Sequence, residues 1–328
     1  MKNVLFVASI SEYYYFKPFV AACKERDVDV YLLDPSRFPK DATLSIILDA
    51  DGKLDGYVDV LKCGIGPITE IRLDIQNIHV AWYLRVPSHT DENVPLETRF
   101  ARNESAGAIR TLLSVLPCSW INREDHMDFL ASNKLYQQLV AQKCGLRIPR
   151  TLISNNNSQV VAFSNPQEGL LLKSIGYIRL DEENRSFLYS ERFTHNELKS
   201  SAIAIRSCPI FSQEYIHKKC EYRVMAIGKH VLACKIDSQA SEKTKVDWRH
   251  YDLKNVAHVP VKLPYEIQQK ILCFMQAVKL QYGAIDLIET PDEEFVFLEI
   301  NPSGQWGWIA DLANIPIPQA VAEMLVNA

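Results

Sequence analysis

Apolar residues fall in short blocks through the first third of the chain. Val4 to Ala8 and Val28 to Leu33 are continuous apolar or near-apolar runs, and Ile78 to Leu84 is a later one. Runs of this length read as buried strands, and Phe16 to Glu25 between the first two suits a helix. Strands alternating with helices favour an open, mainly parallel sheet. Clusters of Gly, Asp and Pro between Asp49 and Asp74 predict hairpins. Further on, Asp125 to Lys143 reads as one helix with Gly145 as its cap. Gly169 to Lys173 is a buried strand that ends in a lysine, and Asp181 to Arg185 is a turn. Strands follow at 209–216, 222–228 and 231–237. Ile267, Ile271, Phe274, Met275 and Val278 recur at helical spacing, as do Ile317, Val321, Met324 and Leu325 at the end. Both stripes are core. No internal repeat is visible.

Two late runs break the apolar pattern. Tyr282 to Ile288 and Phe295 to Pro302 read as strands apolar on both faces, yet they carry Asp286, Glu299 and Asn301. A buried, unpaired carboxylate costs several kcal/mol, so such groups persist only beside a cation or dense hydrogen-bond partners. Side chains two apart on a strand share a face, which puts Glu299 and Asn301 together. A four-residue loop from Pro291 to Glu294 pairs Thr290 with Phe295 and sets Asp286 opposite Glu299. Three hard oxygen donors around an open position describe a magnesium site with room for phosphates. A buried network that only fixes strand register is the alternative.

Composition narrows the field. A chain of 328 residues, 47% hydrophobic and 23% charged, fits a globular protein with two or three domains. A net charge of −4 gives no sign of a general nucleic-acid or membrane-surface binder. The first apolar run is too short for a signal-peptide core, and no stretch is long enough to span a bilayer. The eight cysteines lack Cys-x-x-Cys spacing, so buried thiols in a reducing cytoplasm are expected. Histidine spacing, nucleophile elbows and dinucleotide fingerprints give nothing, and Gly64-Ile65-Gly66-Pro67 reads as a turn rather than a phosphate loop.

The pattern of Asp on one strand and Glu-x-Asn-Pro on the next resembles the metal-binding end of the ATP-grasp ligases. The run Phe297-Leu-Glu-Ile-Asn-Pro-Ser-Gly-Gln-Trp-Gly-Trp308 is more specific. It resembles the microviridin or graspetide synthetases, which cross-link ribosomal peptides and are related to RimK-like and glutathione-synthetase-like enzymes. The resemblance covers nearly the whole chain, most strongly from residue 118. It implies an α/β and α+β protein with the ATP-grasp fold. Residues 1–120 would form an N-terminal open α/β (pre-ATP-grasp) domain, 121–205 a central subdomain, and 206–328 a C-terminal subdomain with the metal site.

Residue by residue, the resemblance makes Lys134 and Lys173 the two ATP lysines. Gln213, Glu214, Tyr215 and Ile216 match the hinge, where backbone groups and an acidic side chain read adenine. Glu221 matches the ribose-binding acid. Arg223 and Lys235 lie on the two strands of one hairpin; with a turn centred near Lys229 they approach each other and need an anion between them. A transferring phosphoryl group fits. The segment from Asp237 to Arg249 resembles the part that covers the acceptor site, with Arg249 near the substrate carboxylate. Gln305, Trp306 and Trp308 follow the metal ligands directly, and either tryptophan is equally readable as core. The loop after Lys173 is poorer in glycine than is usual for the family, and the charged turn at Asp181 to Arg185 is only a weak candidate for leader-peptide recognition.

The expected activity is an ATP-dependent carboxylate–amine or carboxylate–hydroxyl ligase working through an acyl phosphate on a precursor peptide. ATP and Mg²⁺ (two ions) are the expected cofactors. A cytoplasmic homodimer without nucleic-acid or membrane partners is expected. A ligase adding a free amino acid to a small molecule or protein terminus is a second reading, and a nucleotide-binding regulator without turnover is a third.

Overall fold

The computed structural model describes residues 2–64, 66–85, 94–175 and 190–328. The turn expected at Asp181 to Arg185 and the loop beyond Ile175 lie outside them, as does Ile65. The chain separates into two compact units, one comprising 1–124 with 316–328, the other 125–315.

The first unit is built on strands β1 (Lys2–Ala8), β2 (Val28–Leu33), β3 (Leu44–Leu48), β4 (Leu54–Cys63), β5 (Thr69–Asp74), β6 (Val80–Arg85) and β7 (Ser119–Ile121). They form one sheet in the order β3-β4-β2-β1-β6-β7, with β5 on β4. The β2-β1-β6-β7 half is parallel, and β3, β4 and β5 join by antiparallel pairing. Parallel strands need both faces covered, which explains the continuous apolar runs Val4–Ala8 in β1 and Val30–Leu33 in β2. The helix Tyr13–Lys24 packs against β2 and against the chain's last helix, Ile317–Asn327. That last helix buries Ile317, Val321, Met324 and Leu325, the stripe read from the sequence. It belongs to this first unit, not to the segment that precedes it.

The second unit holds two antiparallel sheets. The smaller contains β8 (Thr151–Ser154), β9 (Leu170–Lys173), β10 (Glu191–Phe193) and β11 (Ile210–Glu214), in the order β10-β9-β11-β8. Val160, Leu170, Leu198 and Ile205 form the core beneath it. The larger contains β12 (Cys220–Ile227), β13 (His230–Ile236), β14 (His258–Val261), β15 (Tyr282–Glu289) and β16 (Phe295–Asn301), in the order β14-β13-β12-β15-β16. The helix Tyr265–Ala277 covers one face, with Phe274 against Phe297 at 5.0 Å between ring centroids. Among the described residues no helix is long and apolar enough to cross a membrane.

The single helix expected from Asp125 to Lys143 is two helices, Glu124–Ser132 and Lys134–Lys143. Asn133 breaks it: its amide donates to the Phe129 carbonyl at 2.6 Å, and its own backbone leaves the helical region. Short polar side chains compete in this way for backbone groups. The break places Lys134 at the start of the second helix. Gly145, at φ +82, ends that helix as expected.

Cys23, Cys63, Cys220 and Cys234 are buried thiols, but Cys208 and Cys273 are exposed. Cys273 ends up at the surface because it lies on the outward side of a helix whose buried stripe is Ile271, Phe274 and Met275.

Candidate active site

One cleft in the second unit gathers most of the residues singled out above. Its walls include Lys134, Lys173, Gln213, Glu214, Tyr215, Ile216, Glu221, Arg249, Asp286 and Glu299. Leu171, Ile216, Ile288 and Leu298 supply apolar walls. These residues come from both sheets, from the segment 215–219 that joins them, from the start of the helix Lys134–Lys143 and from the turn Trp248–His250.

The acidic centre rests on strand register. Asp286 on β15 faces Glu299 on β16, the pairing expected from the sequence. The route differs. Glu289, not Thr290, pairs with Phe295, so the connection is one residue longer than expected. An irregularity between Asp286 and Leu287 leaves Leu298 as an extra residue and restores the Asp286–Glu299 alignment. A bulge of this kind re-aims side chains beside functional sites. The Asn301 amide lies 3.5 Å from Asp286 Oδ2.

Each carboxylate has a cation. Arg223 Nη1 donates to both Asp286 oxygens at 3.0 Å, and both side chains are nearly sealed from solvent. Lys134 Nζ lies 3.3 Å from Glu299 Oε2 and donates to the Ser174 carbonyl. Burial raises the Asp286 pKa, opposed by Arg223. Burial also works against an ionised Glu299, but Lys134, Lys173 and Arg249 together bring its pKa below the ordinary carboxylate range. Lys173 is pushed below the ordinary lysine range by burial, with Glu299 opposing.

Lys235 does not join this group. The hairpin turns through Gly228 and Lys229, pairing Ile227 with His230, Arg223 with Cys234 and Tyr222 with Lys235. Directly paired residues share a face, so Lys235 lies on the face of Tyr222, opposite Arg223. Two cations do not meet across this hairpin, and the expectation that Lys235 lines the phosphoryl site is corrected.

Several contributors had no sequence signal. Lys218, half-buried with its side chain 7% exposed, donates to Glu221 Oε1 at 2.7 Å and to the Val246 carbonyl at 3.0 Å. Burial raises the Glu221 pKa, and Lys218 counters it. Asp247 accepts from Arg249 Nε at 2.8 Å and from the Ser190 amide at 3.1 Å. It thereby ties Arg249 to the strand end at Ser190, and its pKa falls well below the usual range because Arg249 and these amides outweigh burial. Gly304 allows close approach: a Cβ there would stand 2.3 Å from Ala284 Cβ and 2.8 Å from Arg223 Nη2. The Asn-Pro-Ser-Gly run could have suggested that close turn.

Trp306 is buried core at 3% exposure, whereas Trp308 is half-buried and stacks on the cleft residue Trp248 at 5.1 Å. Gln305 is exposed.

The hinge side chains divide their work. Glu214 Oε1 accepts the Arg150 amide at 2.9 Å. Gln213 is 1% exposed; its Nε2 donates to Thr151 Oγ1 at 3.1 Å, while its Oε1 has no partner among the described residues. A buried unpaired acceptor in a cleft wall asks for a donor from a ligand.

The donor set also bears on a metal. Among the described residues no cluster of three or more His, Cys, Asp or Glu is placed to hold one. Two carboxylates and one amide nonetheless converge beside cations, and all offer hard oxygens. That set suits Mg²⁺ when phosphate oxygens complete the shell.

No protein-family model matches the chain, and no curated protein does either. Solved structures do. A RiPP-associated ATP-grasp ligase from Chryseobacterium gregarium, in complex with ADP and a leader and core peptide, superposes with a TM-score of 0.86 at 23% identity, covering 100% of this chain and 97% of that one. The macrocyclase MdnC from Microcystis aeruginosa, bound with precursor peptide MdnA, gives 0.79 at 28% identity, covering 99% and 100%. The ATP-grasp ligase PsnB, with minimal precursor, Mg and ADP, gives 0.74 at 17% identity, covering 99% and 96%.

Proposed function

We propose that this chain, an ATP-grasp ligase, activates side-chain carboxylates of a ribosomal precursor peptide with ATP and closes them into ester or amide macrocycles. The observation that carries this reading is the single cleft in which hinge, lysines, Arg249 and the Asp286–Glu299 pair converge. The MdnC likeness supports a peptide substrate, since MdnC was solved with its precursor.

In this reading the adenine sits between the apolar walls and meets the hinge, with Gln213 Oε1 accepting its exocyclic amine. Glu221, held by Lys218, takes the ribose. Lys134 and Lys173 bind phosphate oxygens as compact cations. Asp286, Glu299 and Asn301 would hold Mg²⁺, which would offset the charge of the triphosphate. PsnB, solved with Mg and ADP, supports this, and two ions fit the charge of a triphosphate.

A substrate carboxylate oxygen attacks the γ-phosphorus, ADP leaves, and an acyl phosphate results. Arg249, oriented by Asp247, holds the carboxylate. Arg223 favours the ionised form of Asp286 and aims it, and stabilises charge developing on the phosphoryl group. A lysine amine or Ser/Thr hydroxyl then attacks the acyl carbon and phosphate departs.

Asp286→Asn and Glu299→Gln test the reading while preserving side-chain size. ADP release in the presence of Mg²⁺ and precursor should be lost in both, with Glu299→Gln melting near wild type and Asp286→Asn, which strands the buried Arg223 charge, folded but melting lower. Unchanged ADP release contradicts the metal assignment, and collapse of the fold favours a purely structural network.

A further inference from the structure

β16 is an edge strand, last in its sheet. An edge leaves a row of backbone donors and acceptors that must find partners when buried. Here part of that row is met by a side chain. Gln137 Oε1 accepts the Ile300 amide at 2.9 Å, and Gln137 Nε2 donates to the Ile300 carbonyl at 3.1 Å. The same Nε2 donates to the Leu130 carbonyl at 2.7 Å. The primary amide of Gln137, 1% exposed, thus continues at Ile300 the outer-edge pairing that Arg147 gives β16 at Val296 and Phe297. Among the described residues, each bond of this amide is to backbone.

The location matters. Ile300 lies between Glu299 and Asn301, so a clamp on its backbone fixes the two residues whose side chains share the other face of the strand. Gln137 also sits one turn after Lys134 on the same helix, and Lys134 is the partner of Glu299. One helix therefore supplies the cation and fixes the backbone from which the opposing carboxylate projects. Sliding or twisting at Ile300 would move both oxygen donors together relative to Asp286. The bulge at Leu298 makes the strand locally less constrained by β15, so support from the outer side is needed there.

We infer that Gln137 is a positioning residue for the cation site: its amide, clamped to both backbone groups of Ile300, sets the spacing of Glu299 and Asn301 from Asp286 and so tunes affinity for the divalent cation. This rests on the metal assignment proposed above.

The test measures Mn²⁺ binding to the ADP-bound full chain by electron paramagnetic resonance, with ADP binding measured separately without metal. Gln137→Leu should weaken Mn²⁺ by about 10- to 100-fold, the range for losing a group that orients a metal ligand. Metal-free ADP binding should be unchanged. Equal Mn²⁺ affinity, or parallel loss of metal-free ADP binding, overturns the positioning role. Glu299→Gln serves as the reference. If it too leaves Mn²⁺ binding intact, the metal assignment itself fails; if it alone weakens binding, only the role of Gln137 fails. Wild-type protein supplies a measurement independent of variant folding. Exchange of the Ile300 amide should slow when Mg²⁺ is added to the ADP-bound protein but not with ADP alone, and an unchanged rate contradicts the proposal.

Discussion

Gln213 donates its Nε2 proton to Thr151 Oγ1 at 3.1 Å, and this bond decides which end of the Gln213 amide faces the cleft. The Thr151 hydroxyl has one proton, which goes to Gln138 Oε1 at 2.8 Å or to the Pro149 carbonyl at 3.1 Å. It therefore receives from Gln213, and the Gln213 oxygen is left toward the ligand. Such an acceptor favours adenine, whose six-position amine donates, over hypoxanthine, whose six-position oxygen does not.

ATP should accordingly bind more tightly than inosine triphosphate by about 1–3 kcal/mol, the cost of leaving a buried acceptor unpaired. Gln213→Leu should erase most of that difference. Competition titrations with both nucleotides provide the check, and an unchanged preference in the variant contradicts the assignment.

Arg223 and Asp286 form a nearly solvent-free ion pair. Removing one partner of such a pair typically costs about 3–5 kcal/mol because the other charge is stranded. Arg223→Met should lose stability on that scale in chemical denaturation and lose turnover. Adding Asp286→Asn should restore much of the stability but none of the ADP release. If stability and turnover return together, the pair is structural alone.

Burial lowers the pKa of Lys173 from its ordinary 10.5. The unfolded chain then holds that proton more tightly than the folded one. Stability contributed by this group is reduced below the folded value and rises with pH up to about 10.5, its unfolded value. Bound phosphate favours the charged amine, so ATP binding should take up a proton in the window between the folded value and 10.5 and weaken as pH rises through it. Calorimetry in buffers of different ionisation enthalpy detects the uptake. Lys173→Met should abolish it and weaken ATP by roughly 1–3 kcal/mol.

Lys235 faces away from Arg223. Lys235→Met should leave ATP affinity and turnover close to wild type, in contrast to Lys134→Met and Lys173→Met. A large fall in kcat for the Lys235 variant would restore it to the catalytic set.

The residues that sequence reasoning placed well are those governed by period and by strong chemistry. Glu299 and Asn301 share a face because they are two apart, and a carboxylate inside an apolar run demands a partner whatever the exact loop. The Asp286–Glu299 pairing emerged although the loop was misjudged by one residue, because the irregularity at Leu298 compensates. Parity had the opposite effect at the other hairpin. A turn centred on Lys229 pairs Arg223 with Lys235, while the actual turn through Gly228 and Lys229 shifts register by one and reverses the face. Asn133 gave no periodic sign of the helix break that presents Lys134. Lys218, Asp247 and Gln137 matter through contacts with backbone distant in sequence, which no local pattern encodes.

The most direct measurement weighs the product. Enzyme, ATP and Mg²⁺ are incubated with precursor peptides encoded beside this chain's gene, and each peptide is analysed by mass spectrometry. Every intramolecular ester or amide formed by dehydrative acyl transfer removes one water, about 18 mass units. Such losses should appear, dependent on ATP and absent with Glu299→Gln. Masses that rise by whole amino acids, with no water loss in any precursor, would contradict macrocyclisation.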